Sequence, residues 1–430
     1  MTRQETTKSE SSLAASETGV GFWLYALHLA TVWGLALSNA IQGLAILWTA
    51  IRWRRIRPDA AELRTAEAYK ILRPYSVYLL VFIASVITSY QFRQSLWDLR
   101  ALIGLTTLPL AIVLIRGERQ VRRVFELLIW VTAGMAVFGI FQYFFTDLGG
   151  LQQRIPGPFG HYMTYSGVLL LGGCSAIGRL MTGSRQRRIL DWLILLIILT
   201  ALGLTLTRNA WLAAFVILTI AFFMRFRRWL WAYATAVVLV LALTASLAPQ
   251  HWTRITSMVS LEDVSNYDRI CMAEAGLHMI ADRPLFGIGP GMVQEYYPIY
   301  RHPTSHRTDV KHLHNTLLHL AAERGLLSVV AYVWLMVAAF LVAYKGYREG
   351  GGLRGSRADL YLGVLLSLIA LNIAGIFEAN WRDTEIQRWA LFLLAVPVCV
   401  RLTPYPEISR TRDSASPGEP SSETTGSRIP

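Results

Sequence analysis

The sequence predicts an all-α protein that crosses a membrane many times. Of its 430 residues, 53% are hydrophobic and 16% are charged, whereas soluble domains carry about 25% charged residues. The mean hydropathy is +0.39. Apolar segments of near membrane-crossing length recur along the chain, and the 14 tryptophans and 18 tyrosines are typical of side chains at bilayer interfaces. Together these observations predict a polytopic helical membrane protein.

Twelve apolar segments predict about twelve transmembrane helices with both chain ends in the cytoplasm. The connections that this count assigns to the cytoplasm are rich in lysine and arginine, whereas the short outer connections hold only a few arginines, Arg382 and Arg388 among them. This asymmetry is the one that the positive-inside rule requires. The first two segments are short and are interpreted as one unit bent around Ser38 and Asn39. The segments lie at residues 21–36, 39–53, 74–90, 98–115, 122–145, 162–181, 189–206, 209–225, 228–247, 315–344, 358–378 and 386–402.

One outer connection is much longer than the others and divides the membrane body. It contains NYDRICMAEAGLHMIADRP, which predicts an amphipathic helix stopped by Pro284. Both chain ends are polar, and the beginning shows no cleavable signal pattern. We therefore expect disordered cytoplasmic tails at 1–20 and 404–430, nine transmembrane helices over 21–247, a large periplasmic loop with short helices at 248–313, and three further spans over 314–403.

Charge and cysteine content exclude several other classes of protein. The formal net charge is +13, but the cations stand mainly between apolar segments, which indicates a role in topology and no nucleic-acid partner. Cys174, Cys271 and Cys399 are widely spaced, so neither a disulfide framework nor a thiolate metal site is expected. There is no HExxH motif, and His312 and His314 could chelate a metal together only outside a regular helix. We therefore expect no metal and no cofactor.

The segment DVKHLHNTLLHLAAERGL, residues 309–326, places several polar side chains at the start of a long apolar helix. On a helix, Asn315, His319 and Glu323 recur every fourth residue and form one polar stripe. His314 is then expected at the first turn, about 100° from Asn315. Because histidine titrates near neutral pH, His314 is a candidate base for a hydroxyl group. The alternative is that the stripe only satisfies hydrogen bonds between helices, and His312 is left undecided.

Three arginines on the predicted outer side are candidates for binding an anion. Arg208, in TLTRNAW, stands between two apolar segments with almost no loop, a costly position that points to function unless the side chain reaches the headgroups. Arg269, in NYDRI, either serves a site or pairs with Asp268 or Glu262. Arg154 precedes the Pro/Gly turn of QQRIPGPFG. Guanidinium groups bind phosphate oxygens through two parallel hydrogen bonds and stay charged at any working pH.

The GIGPG sequence at 287–291 has two interpretations. Gly287 and Gly289 follow no strand, so a dinucleotide-binding motif is excluded. They form either a tight turn or a nest of backbone amides for a phosphate group.

Taken in order, TLTRNAW, DRPLFGIGPG and HLHNTLLHLAAERGL resemble motifs of the O-antigen ligase/polymerase superfamily, and most closely those of bacterial O-antigen ligases. The resemblance covers most of the membrane body, and the His-Asn pair with its downstream Glu-x-Gly carries most weight. It implies a fold related to type C glycosyltransferases and a multi-pass protein of the bacterial inner membrane with its active site facing the periplasm. The implied reaction is a metal-independent, inverting transfer of a glycan from undecaprenyl pyrophosphate to a sugar hydroxyl of lipid A–core oligosaccharide.

The resemblance also implies roles for particular residues. His314 corresponds to the essential histidine of the family, and Arg208 and Arg269, together with Arg154, would bind the donor pyrophosphate. The partners implied are the lipid-linked glycan, lipid A–core and the bilayer. Supporting roles fall to His312, Asn315, His319, Glu323, Gly287 and Gly289.

Two kinds of alternative stay open. An O-antigen polymerase and a protein O-oligosaccharyltransferase use the same donor. A transporter or flippase of a lipid-linked anion belongs to another class, whose sites usually lie near the bilayer midplane between repeated halves. Here the candidate groups gather at outer helix ends, which favours an enzyme.

Overall fold

The computed structural model describes residues 19–148, 153–183, 188–247 and 264–403, together with residues 252 and 256. Within these residues every regular element is a helix and no strand is present. The predicted tails at 1–20 and 404–430, except for residues 19 and 20, and the predicted loop segment 248–263, except for residues 252 and 256, lie outside the described residues.

The helices are numbered in chain order. Those before the outer loop are α1 (Gly19–Ala30), α2 (Leu35–Ile56), α3 (Ala60–Thr65), α4 (Tyr69–Ile87), α5 (Phe92–Trp97), α6 (Ala101–Leu105), α7 (Thr107–Leu114), α8 (Gly117–Phe145), α9 (Tyr162–Thr182), α10 (Arg188–Leu204), α11 (Arg208–Arg225) and α12 (Leu230–Leu247). Those in and after the loop are α13 (Val264–Asp282), α14 (Met292–Tyr300), α15 (Thr316–Glu349), α16 (Ala358–Gly375) and α17 (Thr384–Cys399). Single 3₁₀ turns lie at Asp98–Arg100, Arg227–Trp229, Gly352–Arg354 and Asn380–Arg382.

Seven segments of the described chain are long and apolar enough to cross a membrane. The other five predicted spans are also helical, at α1, α9, α10, α12 and α17, but their length or composition does not by itself establish a crossing. The prediction of an all-α polytopic membrane protein is therefore confirmed, while the count of twelve spans and the relation to type C glycosyltransferases stay predictions. The seven segments are α2, α4, the composite Phe92–Leu114, α8, α11, α15 and α16.

Helix α16 lies at the centre of the bundle, with 83% of its apolar window buried. It packs most closely against α9, where Gly178 faces Gly363. A Cβ atom added at Gly178 would lie 2.7 Å from the Gly363 nitrogen and 2.6 Å from the Asp359 carbonyl oxygen. Small residues of this kind let two helix backbones approach in a membrane, where van der Waals packing drives association. These glycines therefore fix the depth and rotation of α16 against α9.

The bend between the first two helices differs from the prediction. Residues 31–34 separate α1 from α2, whereas Ser38 and Asn39 lie inside α2. Both accept hydrogen bonds from Arg388, whose Nη1 donates to Ser38 Oγ at 2.5 Å. The assignment of Arg388 to an outer connection is wrong, because this side chain is 1% exposed and lies within α17. Its charge is accommodated inside the bundle by oxygens of α2.

Opposite the outer loop, Glu67 ties the ends of several helices together. Its carboxylate lies 3.0 Å from Lys70 Nζ, 2.5 Å from Lys345 Nζ and 3.0 Å from Arg401 Nη1. Burial opposes ionisation, but the hydrogen bonds from Lys345, Lys70 and Arg401 lower the pKa of Glu67 to about 2. This carboxylate is therefore charged at neutral pH and links α4, α15 and the end of α17.

Helix α15 is kinked at Gly325, where φ is 77° and ψ is 171°. The kink makes two carbonyl groups available to a neighbouring segment. The Ala322 oxygen accepts a hydrogen bond from the Ile288 amide at 2.9 Å, and the Glu323 oxygen accepts one from the Gly289 amide at 3.0 Å. Part of the outer loop thus replaces helical hydrogen bonds that α15 has lost.

The close contact between the GIGPG segment and this kink depends on glycine. A Cβ atom on Gly287 would lie 2.4 Å from the Glu323 carbonyl carbon, and one on Gly325 would lie 2.1 Å from the Leu285 oxygen. The Gly291 amide donates to Glu323 Oε1 at 3.1 Å. Because these amides point at α15, the structure favours a tight packing turn over a phosphate nest.

We expect Gly325→Ala to destabilise the protein. The positive φ alone costs on the order of 1–3 kcal/mol for a residue with a side chain, and the overlap with the Leu285 oxygen adds to this. The variant should show a clearly lower midpoint of thermal unfolding, followed by tryptophan fluorescence in detergent. Gly134→Ala in α8 is the control, because its Cβ would meet nothing within 4 Å. Equal midpoints for the two variants would contradict the assigned role of the kink.

Candidate active site

The candidate histidines precede α15 and do not lie on it. Helix α15 begins at Thr316, and Asn315 is its N-cap, with its Oδ1 accepting a hydrogen bond from the Leu318 amide at 2.9 Å. His314 has a φ of 47°, in the left-handed region. The prediction that His314 and Asn315 occupy the first helical turn is therefore wrong. Asparagine favours the N-cap position because its side chain satisfies an amide that has no helical partner, and the helix starts one residue later.

The segment that follows α16 fixes this helix start. Asn315 Nδ2 donates to the Ile376 oxygen at 2.9 Å, and Thr316 Oγ1 donates to the Glu378 oxygen at 2.9 Å. Both hydrogen bonds join the start of α15 to residues 376–378. As a result, the carboxylate of Glu378 is held against the two histidines.

His312, His314 and Glu378 form a compact group, here called the His–Glu cluster. His314 Nδ1 lies 2.9 Å from Glu378 Oε2, and His312 Nδ1 lies 3.2 Å from Glu378 Oε1. The two imidazole rings meet edge to face with centroids 4.3 Å apart. The Ala379 amide donates to the same carboxylate at 3.1 Å. The carboxylate is buried and the histidines are partly exposed, so the cluster opens outward through its imidazoles.

The protonation states of the cluster follow from its surroundings. Burial opposes ionisation of Glu378, but the hydrogen bond and charge of His314, together with the Ala379 amide, lower its pKa to about 2. Burial lowers the pKa of His312 to about 3, against the attraction of Glu378. At neutral pH Glu378 is therefore a carboxylate and His312 is neutral. A carboxylate only accepts hydrogen bonds, so His314 carries its proton on Nδ1 when neutral, and its Nε2 offers a lone pair.

The predicted polar stripe continues one turn deeper into α15. His319 and Glu323 are both 3% exposed, and His319 Nε2 lies 3.3 Å from Glu323 Oε2. Glu323 also accepts the Gly291 amide and so joins the stripe to the outer loop. The His319 ring lies 6.5 Å from that of His312. This pair thus lies directly behind the His–Glu cluster.

Arg208 begins α11 and is held by the outer-loop helix α13. Arg208 is 6% exposed, and its Nη2 donates to Asn266 Oδ1 at 2.8 Å. Its neighbour Asn209 donates to the Ala374 oxygen at 3.4 Å, one residue before the end of α16. Arg269 lies on α13 one turn beyond Asn266. The start of α11 therefore adjoins the same end of α16 as the His–Glu cluster.

Arg154 lies beside the cluster and not within it. Its guanidinium is 4.5 Å from the centre of the Tyr162 ring, and the His161 ring stacks on the same tyrosine with centroids 4.4 Å apart. His161 and His312 line a cleft of about 90 Å³ together with Glu378, Arg382 and Asp383. Burial lowers the pKa of His161, so this histidine is mainly neutral at neutral pH.

Sequence reasoning missed three residues of this region: Glu378, His161 and Arg382. Glu378 is separated from His314 by 64 positions, so only the fold brings them together. A signal was present, since a lone carboxylate directly after a long apolar segment is unusual. Arg382 was recognised as an outer arginine, but nothing in the sequence placed it in the cleft beside His312.

The fold and this site define a multi-pass helical membrane protein with a polar cluster at one end of its helices. Residues 193–333 match the family model described as O-antigen ligase. This match covers about a third of the chain and supports the resemblance to O-antigen ligases that its motifs predicted. The matched stretch contains Arg208, Arg269, His312 and His314 and ends before Glu378. The chain has no significant match among curated proteins.

We expect Asn315→Ala to loosen the start of α15. The variant loses the cap of the Leu318 amide, worth about 1 kcal/mol, and the hydrogen bond to the Ile376 oxygen. Amide hydrogen exchange at residues 316–318 should become at least several-fold faster. Ser76→Ala, at an exposed position of α4, is the control. Unchanged exchange in Asn315→Ala would show that the cap does not hold the helix start.

Proposed function

We propose that this protein is an O-antigen ligase. It transfers a glycan from undecaprenyl pyrophosphate to a sugar hydroxyl of lipid A–core, at the periplasmic face of the bacterial inner membrane and with inversion. The observation that carries the proposal is the 2.9 Å contact between His314 Nδ1 and Glu378 Oε2. Such a pair is suited to taking a proton from an acceptor hydroxyl.

In the proposed mechanism, the two imidazole nitrogens of His314 have different roles. Glu378 accepts a hydrogen bond from the Nδ1–H group of His314, so Nε2 is free to receive the proton of the acceptor hydroxyl as its oxygen attacks the anomeric carbon. The bond from that carbon to the pyrophosphate oxygen breaks, and undecaprenyl pyrophosphate leaves. The carboxylate stabilises the imidazolium that forms, as in other carboxylate–histidine pairs. The proton on Nε2 is then released to solvent.

The arginines supply the positive charge that the leaving pyrophosphate needs. Arg208 is buried and oriented by Asn266, and Arg269 lies on the same outer-loop helix. Guanidinium groups fixed in this way offset developing charge as a metal ion does in other transferases, so no metal is required. Arg154, stacked on Tyr162, is assigned to the edge of the donor site.

The remaining candidate residues support this arrangement. Neutral His312 lies with its Nδ1 3.2 Å from the second oxygen of Glu378 and packs edge to face against the His314 ring. His319 and Glu323 connect the cluster to the outer loop, and Gly287 and Gly289 let that loop pack against the kink of α15.

The distribution of charge supports a periplasmic site. The cluster lies at the Thr316 end of α15, whereas Lys345 and the Glu67 group lie at the other end. The cation-rich connections therefore face away from the site, as the positive-inside rule requires if the site is periplasmic.

The family match covers ligases and polymerases, so the acceptor must be tested directly. Purified protein in liposomes is given a labelled lipid-linked glycan and one of three acceptors: lipid A–core, a second lipid-linked glycan or an acceptor protein. We expect label only on lipid A–core. A lengthened lipid-linked glycan would replace the proposal with a polymerase, and labelled protein would indicate an oligosaccharyltransferase. A change of sidedness without any conjugate would indicate a flippase.

Removal of the base should abolish transfer, and removal of its charge partner should weaken it. His314→Ala is expected to lower kcat on the order of 10²–10⁴-fold. Glu378→Gln keeps an acceptor for the Nδ1–H hydrogen bond but loses the charge, and kcat should fall by up to about 10⁴-fold, as for the carboxylate-to-amide change behind a catalytic histidine, with little change in the donor KM. His278→Ala on α13, an exposed histidine, is the matched control. Full transfer activity in His314→Ala would contradict the assignment of His314 as the base.

A further inference from the structure

The His–Glu cluster has the composition and spacing of a transition-metal site. One ligand atom from each of His312, His314 and Glu378 lies within 4.8 Å of the other two, and no other such group of three occurs among the residues that the structure describes. A His-x-His pair on a helix would direct its rings to different sides. Here the left-handed φ of His314 and the N-cap at Asn315 keep both histidines outside the helix, so both rings face one carboxylate.

We propose that His312, His314 and Glu378 form a reversible inhibitory site for a divalent transition-metal ion, with Zn²⁺ as the preferred ion. Imidazole nitrogen and carboxylate oxygen both bind Zn²⁺ at about 2.0–2.2 Å, so tetrahedral ligands stand about 3.3 Å apart. The separations of 2.9 Å and 3.2 Å between the histidines and the carboxylate are close to that value. The two imidazoles therefore need to approach each other by at most about 1.5 Å.

The surroundings of the cluster leave room for the ion. His312 Nδ1 has no hydrogen-bond partner of good geometry in the described part of the chain, so the ion displaces nothing from it. Three protein ligands leave the fourth position to water, on the side of the cleft that His312 and Glu378 line. Arg382 lines the same cleft, and its positive charge opposes a second cation. Binding should therefore be weaker than in a structural zinc site, and reversible.

Metal binding at His314 Nδ1 would inhibit transfer because it changes which imidazole nitrogen carries the proton. This step rests on the proposed function. The ion replaces the proton between His314 Nδ1 and Glu378, because only a deprotonated nitrogen can bind a metal. The neutral imidazole then carries its proton on Nε2. In that form it has no lone pair to accept the proton of the hydroxyl group.

Binding and inhibition are measured separately on the purified full-length protein. Co²⁺ is added as an optical probe, and we expect visible absorption bands of a four-coordinate site that Zn²⁺ abolishes and that His312→Ala and Glu378→Gln lack. In the transfer assay Zn²⁺ should inhibit the wild type, with activity restored by EDTA. The Zn²⁺ concentration for half inhibition, relative to each variant's own metal-free rate, should rise at least tenfold in His312→Ala. It should not change in His278→Ala.

The outcomes distinguish the site from the reaction. Absence of the cobalt bands in the wild type, or their persistence in both variants, would overturn the metal site whatever reaction the protein catalyses. Cobalt bands with undiminished transfer would overturn the inhibitory role. Transfer that requires the ion would replace inhibition with a catalytic metal. If His314→Ala retains full transfer, the proposed base fails, while the cobalt bands still report on the site.

Discussion

The hydrogen bonds between the start of α15 and residues 376–378 are the constraint on which the candidate site depends. Asn315 caps its own helix through Oδ1 and binds the Ile376 oxygen through Nδ2, so one side chain fixes both partners. Thr316 adds a bond to the Glu378 oxygen. This link holds the backbone of Glu378 beside the start of α15, where its carboxylate meets His314. A buried carboxylate without hydrogen-bond donors is strongly destabilising, so the pairing with His314 and the fold of this corner stabilise each other.

The kink at Gly325 provides the second constraint, at the other side of the polar stripe. The outer loop binds the carbonyl groups of Ala322 and Glu323 that a straight helix would use internally. The Glu323 side chain also accepts a hydrogen bond from the Gly291 amide. The first turns of α15 are therefore held from both sides, by the segment after α16 and by the GIGPG segment. A rigid element of this kind is what a base needs if it must lie within hydrogen-bond reach of a hydroxyl group.

The sequence predicted the helical architecture well because apolar segments must be helical to satisfy their backbone groups in a membrane. It also indicated the segment that carries His314 as a candidate site, since polar residues at the start of an apolar membrane helix often have a function. The local geometry was not predictable in the same way. Whether a helix starts at residue 314 or 316 depends on which residue is the N-cap. That choice depends on local hydrogen bonds between residues that are close in sequence.

Long-range pairs set the limit of sequence reasoning in this protein. Arg388 was assigned to an outer connection from the count of spans, yet it is buried, and oxygens of Ser38 and Asn39 on another helix accept hydrogen bonds from it. Glu378 escaped notice for the same reason, because its partner lies on a different helix start. In both cases the free energy of the charged group depends on neighbours distant in sequence, and composition alone carries no information about them.

The placement of charge around His314 suits the proposed reaction, in which a carboxylate and a pyrophosphate would act near the same histidine. Two anions near one imidazole would repel each other unless they stood on different sides of it. Glu378 contacts Nδ1 and is buried, and the ring separates it from Nε2, where the acceptor hydroxyl would bind. Arg208 lies at the start of α11, on another helix than the carboxylate, and is held by α13 of the outer loop. In the proposed reaction, the negative charge that would stabilise the imidazolium and the positive charge that would stabilise the leaving group are therefore carried by separate elements. An arrangement of this kind would let a carboxylate orient His314 without repelling the anionic donor of the proposed reaction.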